Sequence, residues 1–101
     1  MTLPVFLHIE ATPDPNEMAA LQAYSSQVPA IAKEHGAVTV ATYDVEKALD
    51  DEKAPGLFVV VSFPTRESIT AFFEDPAYQA LIPLRDKGFE QVRYYITSER
   101  L

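Results

Sequence analysis

Residues 57–63, LFVVVSF, constrain the fold of this chain more than any other stretch. Six of the seven side chains are large and apolar, and three are consecutive valines. A run this short and this rich in β-branched and aromatic residues is expected to form a strand with both faces out of water. Pro64 ends it, because proline has no N–H to give to a sheet ladder. Thr65 then occupies the position of a helix N-cap, with Ile69, Phe72 and Phe73 following at helical spacing. A strand that feeds straight into one amphipathic helix needs cover on its other face from elsewhere.

The flanking segments supply part of that cover. Pro4–Ala11 alternates as a strand, with Val5, Leu7 and Ile9 on one face and Phe6, His8 and Glu10 on the other. The TPDPN sequence ends it, and Asp14 followed by Pro15 predicts a helix starting there, with Glu17 in its first turn. Met18, Leu21, Tyr24, Val28, Ile31 and His35 recur at three- and four-residue steps, so this helix should run to about His35, with a kink at Pro29 and a stop at Gly36. Ala37–Val45 reads as a second strand, with Val38, Val40 and Thr42 on one face and Thr39, Ala41 and Tyr43 on the other. The polar, acidic segment 46–56 reads as a loop. After the Leu57–Phe63 strand, Asp75-Pro76 predicts that the helix restarts, Pro83 bends it and Gly88 closes it. Val92–Thr97 is the last strand, with Val92, Tyr94 and Ile96 on one side and Arg93 and Tyr95 on the other.

This β-α-β-β-α-β order, with right-handed crossovers, gives an α+β ferredoxin-like fold: an antiparallel sheet with its helices on one face. One domain spanning residues 1–101 is expected for a chain of this length. Helices cover only one side of such a sheet, yet the 57–63 strand is apolar on both, with Phe58 and Val60 on the second. An uncovered face of that kind exceeds what monomers usually leave in water, so a homodimer packed sheet against sheet is expected.

Composition narrows the functional classes. A net charge of −7 argues against nucleic-acid partners and anionic membrane surfaces. No apolar run reaches the length of a membrane-spanning helix, and the N-terminus lacks the basic and apolar regions of a signal peptide, so a soluble cytoplasmic protein is expected. With no cysteine and only His8 and His35, neither a disulfide, a thiolate nucleophile nor a metal site is expected. Asp50, Asp51 and Glu52 lack the spacing and the glycine of a calcium loop. Phosphate loops, dinucleotide fingerprints and nucleophile elbows do not occur, and no cofactor is expected.

Several segments together carry a resemblance. They are His8-Ile9-Glu10 in the first strand, VPAIAKEHG closing the first helix, and Phe63-Pro64-Thr65 through Asp75-Pro76-Ala77-Tyr78-Gln79, with Leu84-Arg85 behind. In these the chain resembles a small uncharacterised bacterial family of dimeric α+β barrel proteins. The family's usual double glycine and basic strand are replaced here by Gly36-Ala37-Val38. The resemblance implies a homodimer within a superfamily of cofactor-free monooxygenases, muconolactone-type isomerases, haem enzymes and members without known activity.

Candidate site residues follow from side-chain chemistry. His8 and Glu10 share a strand face, so the carboxylate can set the imidazole tautomer, and the pair can take a proton from an activated carbon. A structural histidine at a subunit contact is the alternative. Arg85 can hold a substrate carboxylate bidentately or pair with Asp86, Glu90 or a partner-chain acid. Tyr43 and Tyr94 are strand aromatics with polar tips, suited to substrate binding or to a core. These residues point to a small-molecule site between sheet and helices, performing cofactor-independent acid–base or oxygen chemistry. The competing expectation is a non-catalytic dimer that binds a ligand or another protein.

Overall fold

A computed structural model describes residues 3–100; residues 1–2 and 101, the two ends of the expected domain, lie outside the described residues. The chain runs β1 (Val5–Pro13), α1 (Met18–Glu34), β2 (Val38–Asp44), β3 (Leu57–Phe63), α2 (Arg66–Glu74), α3 (Pro76–Gln79), α4 (Ile82–Gly88) and β4 (Phe89–Thr97). The four strands form one sheet in the order β2-β3-β1-β4, antiparallel throughout. This is the expected ferredoxin-like α+β arrangement. The 57–63 run pairs on both sides, with β1 and with β2, which is why it has no polar edge. Among the described residues no helix is long and apolar enough to cross a membrane.

Register fixes which side chains share a face, because directly paired residues point the same way. Ile9 pairs with Val59 on one side and Tyr94 on the other, whereas His8 pairs with Val60 and Tyr95. The face carrying Val5, Leu7, Phe63 and their neighbours packs against Tyr24, Ile69, Phe72, Tyr78 and Leu81 of the helical layer, and these form the core. The opposite face carries Phe6, His8, Glu10, Phe58 and Val60 and has no helix over it.

Two expectations need correction. The first helix does not start at Asp14-Pro15. The Asp14 carboxylate accepts the Asn16 N–H at 2.9 Å and its carbonyl accepts the Glu17 N–H at 3.0 Å, so Asp14–Glu17 closes as a separate turn and α1 begins at Met18. The alternation of the second strand also breaks. Its register shifts between Thr39 and Ala41, inserting Val40 as a bulge. Thr39 and Thr42 therefore both face the helices, while Val38, Ala41 and Tyr43 face the open side.

Other local signals act as expected. Gly36 ends α1 with φ of 81°, a conformation costly for any residue with a Cβ, and a Cβ there would also lie 2.7 Å from Pro64 Cγ. Thr65 Oγ1 accepts the Ser68 N–H at 3.0 Å while Ser68 Oγ accepts the Thr65 N–H at 3.1 Å, a reciprocal cap on α2. Asp75 caps α3 through Ala77 N–H at 2.9 Å, and its other oxygen meets His35 Nε2 at 2.8 Å. One carboxylate thus starts a helix and ties it to the end of α1.

Candidate functional site

Between α1 and the helix-facing side of the sheet lies a cleft of about 460 Å³. Its floor comes from all four strands: Ile9 and Ala11, Thr39 and Thr42, Val59 and Val61, Val92 and Tyr94. Its roof is the α1 stripe of Leu21, Tyr24, Val28 and Ala32. The walls are apolar except at Ser25, the two threonines and the two tyrosines. Among the described residues none of the lining side chains is a carboxylate, an imidazole, an amine or a guanidinium.

The tyrosines at one end form a cluster. The hydroxyls of Tyr24 and Tyr78 lie 3.0 Å apart, and each is 3.3 Å from the hydroxyl of Tyr94. Tyr78 is 1% exposed and Tyr24 7%, and Tyr94 is half-buried, so this hydrogen-bonded triangle lies largely among core aromatics. Phe73 stacks edge-on against both Tyr78 and Tyr94. Arg85 on α4 stands behind the triangle, donating from Nη1 to the Tyr78 hydroxyl at 3.1 Å, with its guanidinium carbon 5.8 Å from the Tyr94 ring centre. Its Nε contacts Asp86 at 3.2 Å.

Electrostatics keep the cluster in one protonation state. Burial, then the neighbouring Tyr94 and Tyr78 hydroxyls, push the Tyr24 phenol well above its ordinary range. Burial raises Tyr94 as well, outweighing the lowering influence of the Tyr24 hydrogen bond and of Arg85. For Arg85, burial is the largest influence and opposes the charge, but the Tyr78 hydrogen bond together with the influence of Tyr94 and Asp86 outweighs it, and the guanidinium stays protonated. Tyr24 and Tyr94, which line the cleft, are therefore neutral phenols, with the Arg85 guanidinium and its Asp86 partner behind them.

The residues singled out in the sequence divide between the two sides of the sheet. Arg85 and Tyr94 come together at the tyrosine cluster. His8 and Glu10 do not join them, since β1 turns both to the open face, where His8 lies beside Phe6, Val60 and Thr97 and Glu10 lies near Lys53 and Arg93. Tyr43 is also on the open face, 57% exposed on the edge strand. Tyr24 and Tyr78 were not singled out, because each falls in an apolar helical stripe that reads as core. The available signal was that a buried tyrosine must bring its hydroxyl to a partner, and three inward tyrosines can partner one another. Among the described residues no three metal-ligating side chains cluster.

The same fold recurs in solved structures of low identity. A protein of unknown function from Rhodopseudomonas palustris aligns with a TM-score of 0.80 at 16% identity, covering 97% of this chain and 83% of that one. A dimeric ferredoxin-like protein of unknown function from Jannaschia sp. aligns at 0.73 and 9% identity, covering 96% and 100%. A candidate antibiotic biosynthesis monooxygenase from Nitrosomonas europaea aligns at 0.67 and 10% identity, covering 98% and 92%. These likenesses establish the ferredoxin-like type of fold, not an activity or an assembly. No curated protein matches the chain in sequence. Residues 8–98 match the family described as Domain of unknown function (DUF1330), and the chain belongs to that family.

Proposed function

We propose that this protein binds a compact, largely apolar small molecule in the cleft under α1, through an oxygen atom placed at the Tyr24 and Tyr94 hydroxyls. One observation carries the reading: the phenols of Tyr24 and Tyr94 line a cleft of about 460 Å³ whose other walls are apolar apart from Ser25, Thr39 and Thr42, a volume within the ~300–1,000 Å³ usual for ligand sites. Cofactor-independent acid–base or oxygen chemistry on the ligand is the catalytic extension of this reading. It would use tyrosine hydroxyls as donors, with Arg85 supporting them from behind. A thermal-shift screen of cyclic ketones, phenols and carboxylic acids tests it. A binder present at a hundredfold excess over its Kd adds about 2.7 kcal/mol of stability. That shift should disappear in Ala32→Phe, which fills the cleft. A shift that survives the filled cleft, or no shift across the panel, refutes the proposal.

The working unit we propose is a homodimer joined through the open sheet face. Val38 is 63% exposed, Val40 and Tyr43 57% each and Phe58 38%, all on β2 and β3. So large an apolar surface calls for a partner, and a second copy satisfies it with two-fold symmetry. In this arrangement His8, Glu10 and Tyr43 belong to the subunit contact, and chemistry at the His8–Glu10 pair would require the partner subunit to close over it.

A further inference from the structure

The arrangement of donors around Tyr78 points to the kind of oxygen the cleft takes. We propose that the site selects a delocalised oxyanion, the anion of an acidic phenol or enol, and holds it at the hydroxyls of Tyr24 and Tyr94. The inference rests on the reading of the cleft as a ligand site and adds the charge state and class of the ligand.

Hydrogen-bond accounting gives the direction. Tyr78 accepts from the Arg85 guanidinium at 3.1 Å, which polarises its own hydroxyl, and its shortest contact in the triangle, 3.0 Å, is with Tyr24. The remaining edges, from Tyr94 to each of the others, are 3.3 Å long. That is beyond the usual ~2.7–2.8 Å of an O–H···O bond, so these edges are weak. Of the three tyrosines only Tyr24 and Tyr94 line the cleft. A ligand oxyanion there lets them exchange weak neutral contacts for charge-assisted bonds, which are shorter and roughly twice as strong. The Arg85 cation stands behind them, bonded to Tyr78 and also paired with the exposed Asp86 carboxylate at 3.2 Å, and among the described residues no anionic side chain lines the cleft itself.

The class follows from the remaining walls. A carboxylate concentrates its charge on two oxygens with about four acceptor sites, more than the two phenols supply, and the rest of the lining is apolar save for the neutral hydroxyls of Ser25, Thr39 and Thr42. A phenolate or enolate spreads the charge into an apolar ring or chain that suits those walls. The cleft has no base to remove the ligand's proton, and burial holds Tyr24 and Tyr94 in their neutral form. The ligand must therefore be acidic enough to lose its proton to solvent near neutral pH.

4-Nitrophenol, whose anion is coloured, tests this directly. Its absorbance is followed across pH with and without excess protein. The bound probe should ionise about one pH unit lower than the free probe, a tenfold preference for the anion. Tyr94→Phe and Arg85→Gln, each checked for an intact melting transition, should shrink that shift. Binding with an unchanged or raised ionisation point overturns the inference while leaving the cleft a ligand site, as does tighter binding of 4-nitrobenzoate or of neutral 4-nitroanisole. Failure of all three probes, together with silence in the wider thermal-shift panel, removes both readings.

Discussion

Val60→Lys isolates the proposed subunit contact. Val60 sits in the middle of the open face, paired with His8 on β1 and Ala41 on β2, and touches none of the cleft. In a lone chain a lysine there keeps its ammonium in water and costs within about 1 kcal/mol, the span of strand preferences. In a sheet-to-sheet dimer the ammonium is trapped between apolar layers without a partner, at about 3 kcal/mol after relaxation. Two-fold symmetry places two such lysines in every dimer. The combined cost of about 6 kcal/mol weakens association by roughly four powers of ten. Light scattering at micromolar concentration should give the wild type twice the 11.2 kDa of one chain. The variant should lose that species and aggregate, since Val38, Val40, Tyr43 and Phe58 remain uncovered. A wild type that scatters as a single chain, or a variant that stays a stable dimer, refutes the reasoning.

Two further perturbations probe the helical layer. A Cβ at Gly88 would lie 2.8 Å from both the Cα and the N of Leu21, backbone atoms that yield only if α1 moves. Overpacking of this kind costs about 1–3 kcal/mol against a helix-propensity gain of up to about 1. Gly88→Ala should therefore lower stability in urea by about 1–2 kcal/mol, and unchanged stability would contradict the close α1–α4 packing. The Asp75 carboxyl is held below its ordinary value of 3.8 by the His35 hydrogen bond and then by Ala77 N–H. A lowered folded-state value adds stability above the unfolded-state value and loses it as pH falls through the folded one. Asp75→Asn should thus be less stable than the wild type at neutral pH, with the gap closing below about pH 4. A gap that persists in acid would show that the charge is not what the site uses.

The fold was legible because its strongest signals are local. A valine run bounded by proline, a threonine cap, an Asp-Pro restart and a glycine stop each act within a few residues, and the β-α-β-β-α-β order needs little else. What escaped depends on register between strands far apart in sequence. Nothing local to Val40 marks it as the residue that bulges, yet that bulge puts Thr39 and Thr42 together on the cleft floor. Alternation grouped His8 with Glu10 correctly, but only the pairing of Ile9 with Tyr94 reveals that Tyr94 looks away from both. The candidate residues therefore do not form a single constellation: His8 and Glu10 share one face, Arg85 and Tyr94 meet on the other.

Of the segments that carry the family resemblance, Ile9, Val28, Pro29 and Ala32 line the cleft, whereas the longest one and the glycine stop before it are structural in their contacts. Gly36 passes against the ring of Pro64, Thr65 and Ser68 cap α2, and Asp75 joins α3 to His35 at 2.8 Å. In the phrase from Phe63 to Gln79 only Tyr78 reaches the hydroxyl triangle, and it does so from behind, without lining the cleft. Tyr24, Thr39, Thr42, Val59 and Tyr94, which do meet the space a ligand would fill, lie outside that phrase. Similarity across the phrase therefore reports on how the helical layer is locked to the sheet, and bears weakly on what the cleft holds. A relative sharing the phrase while changing Tyr24 or Tyr94 would keep this architecture and lose the phenol donors. The identity of those two positions, more than the matching motif, should decide whether a member of the family binds the same ligand.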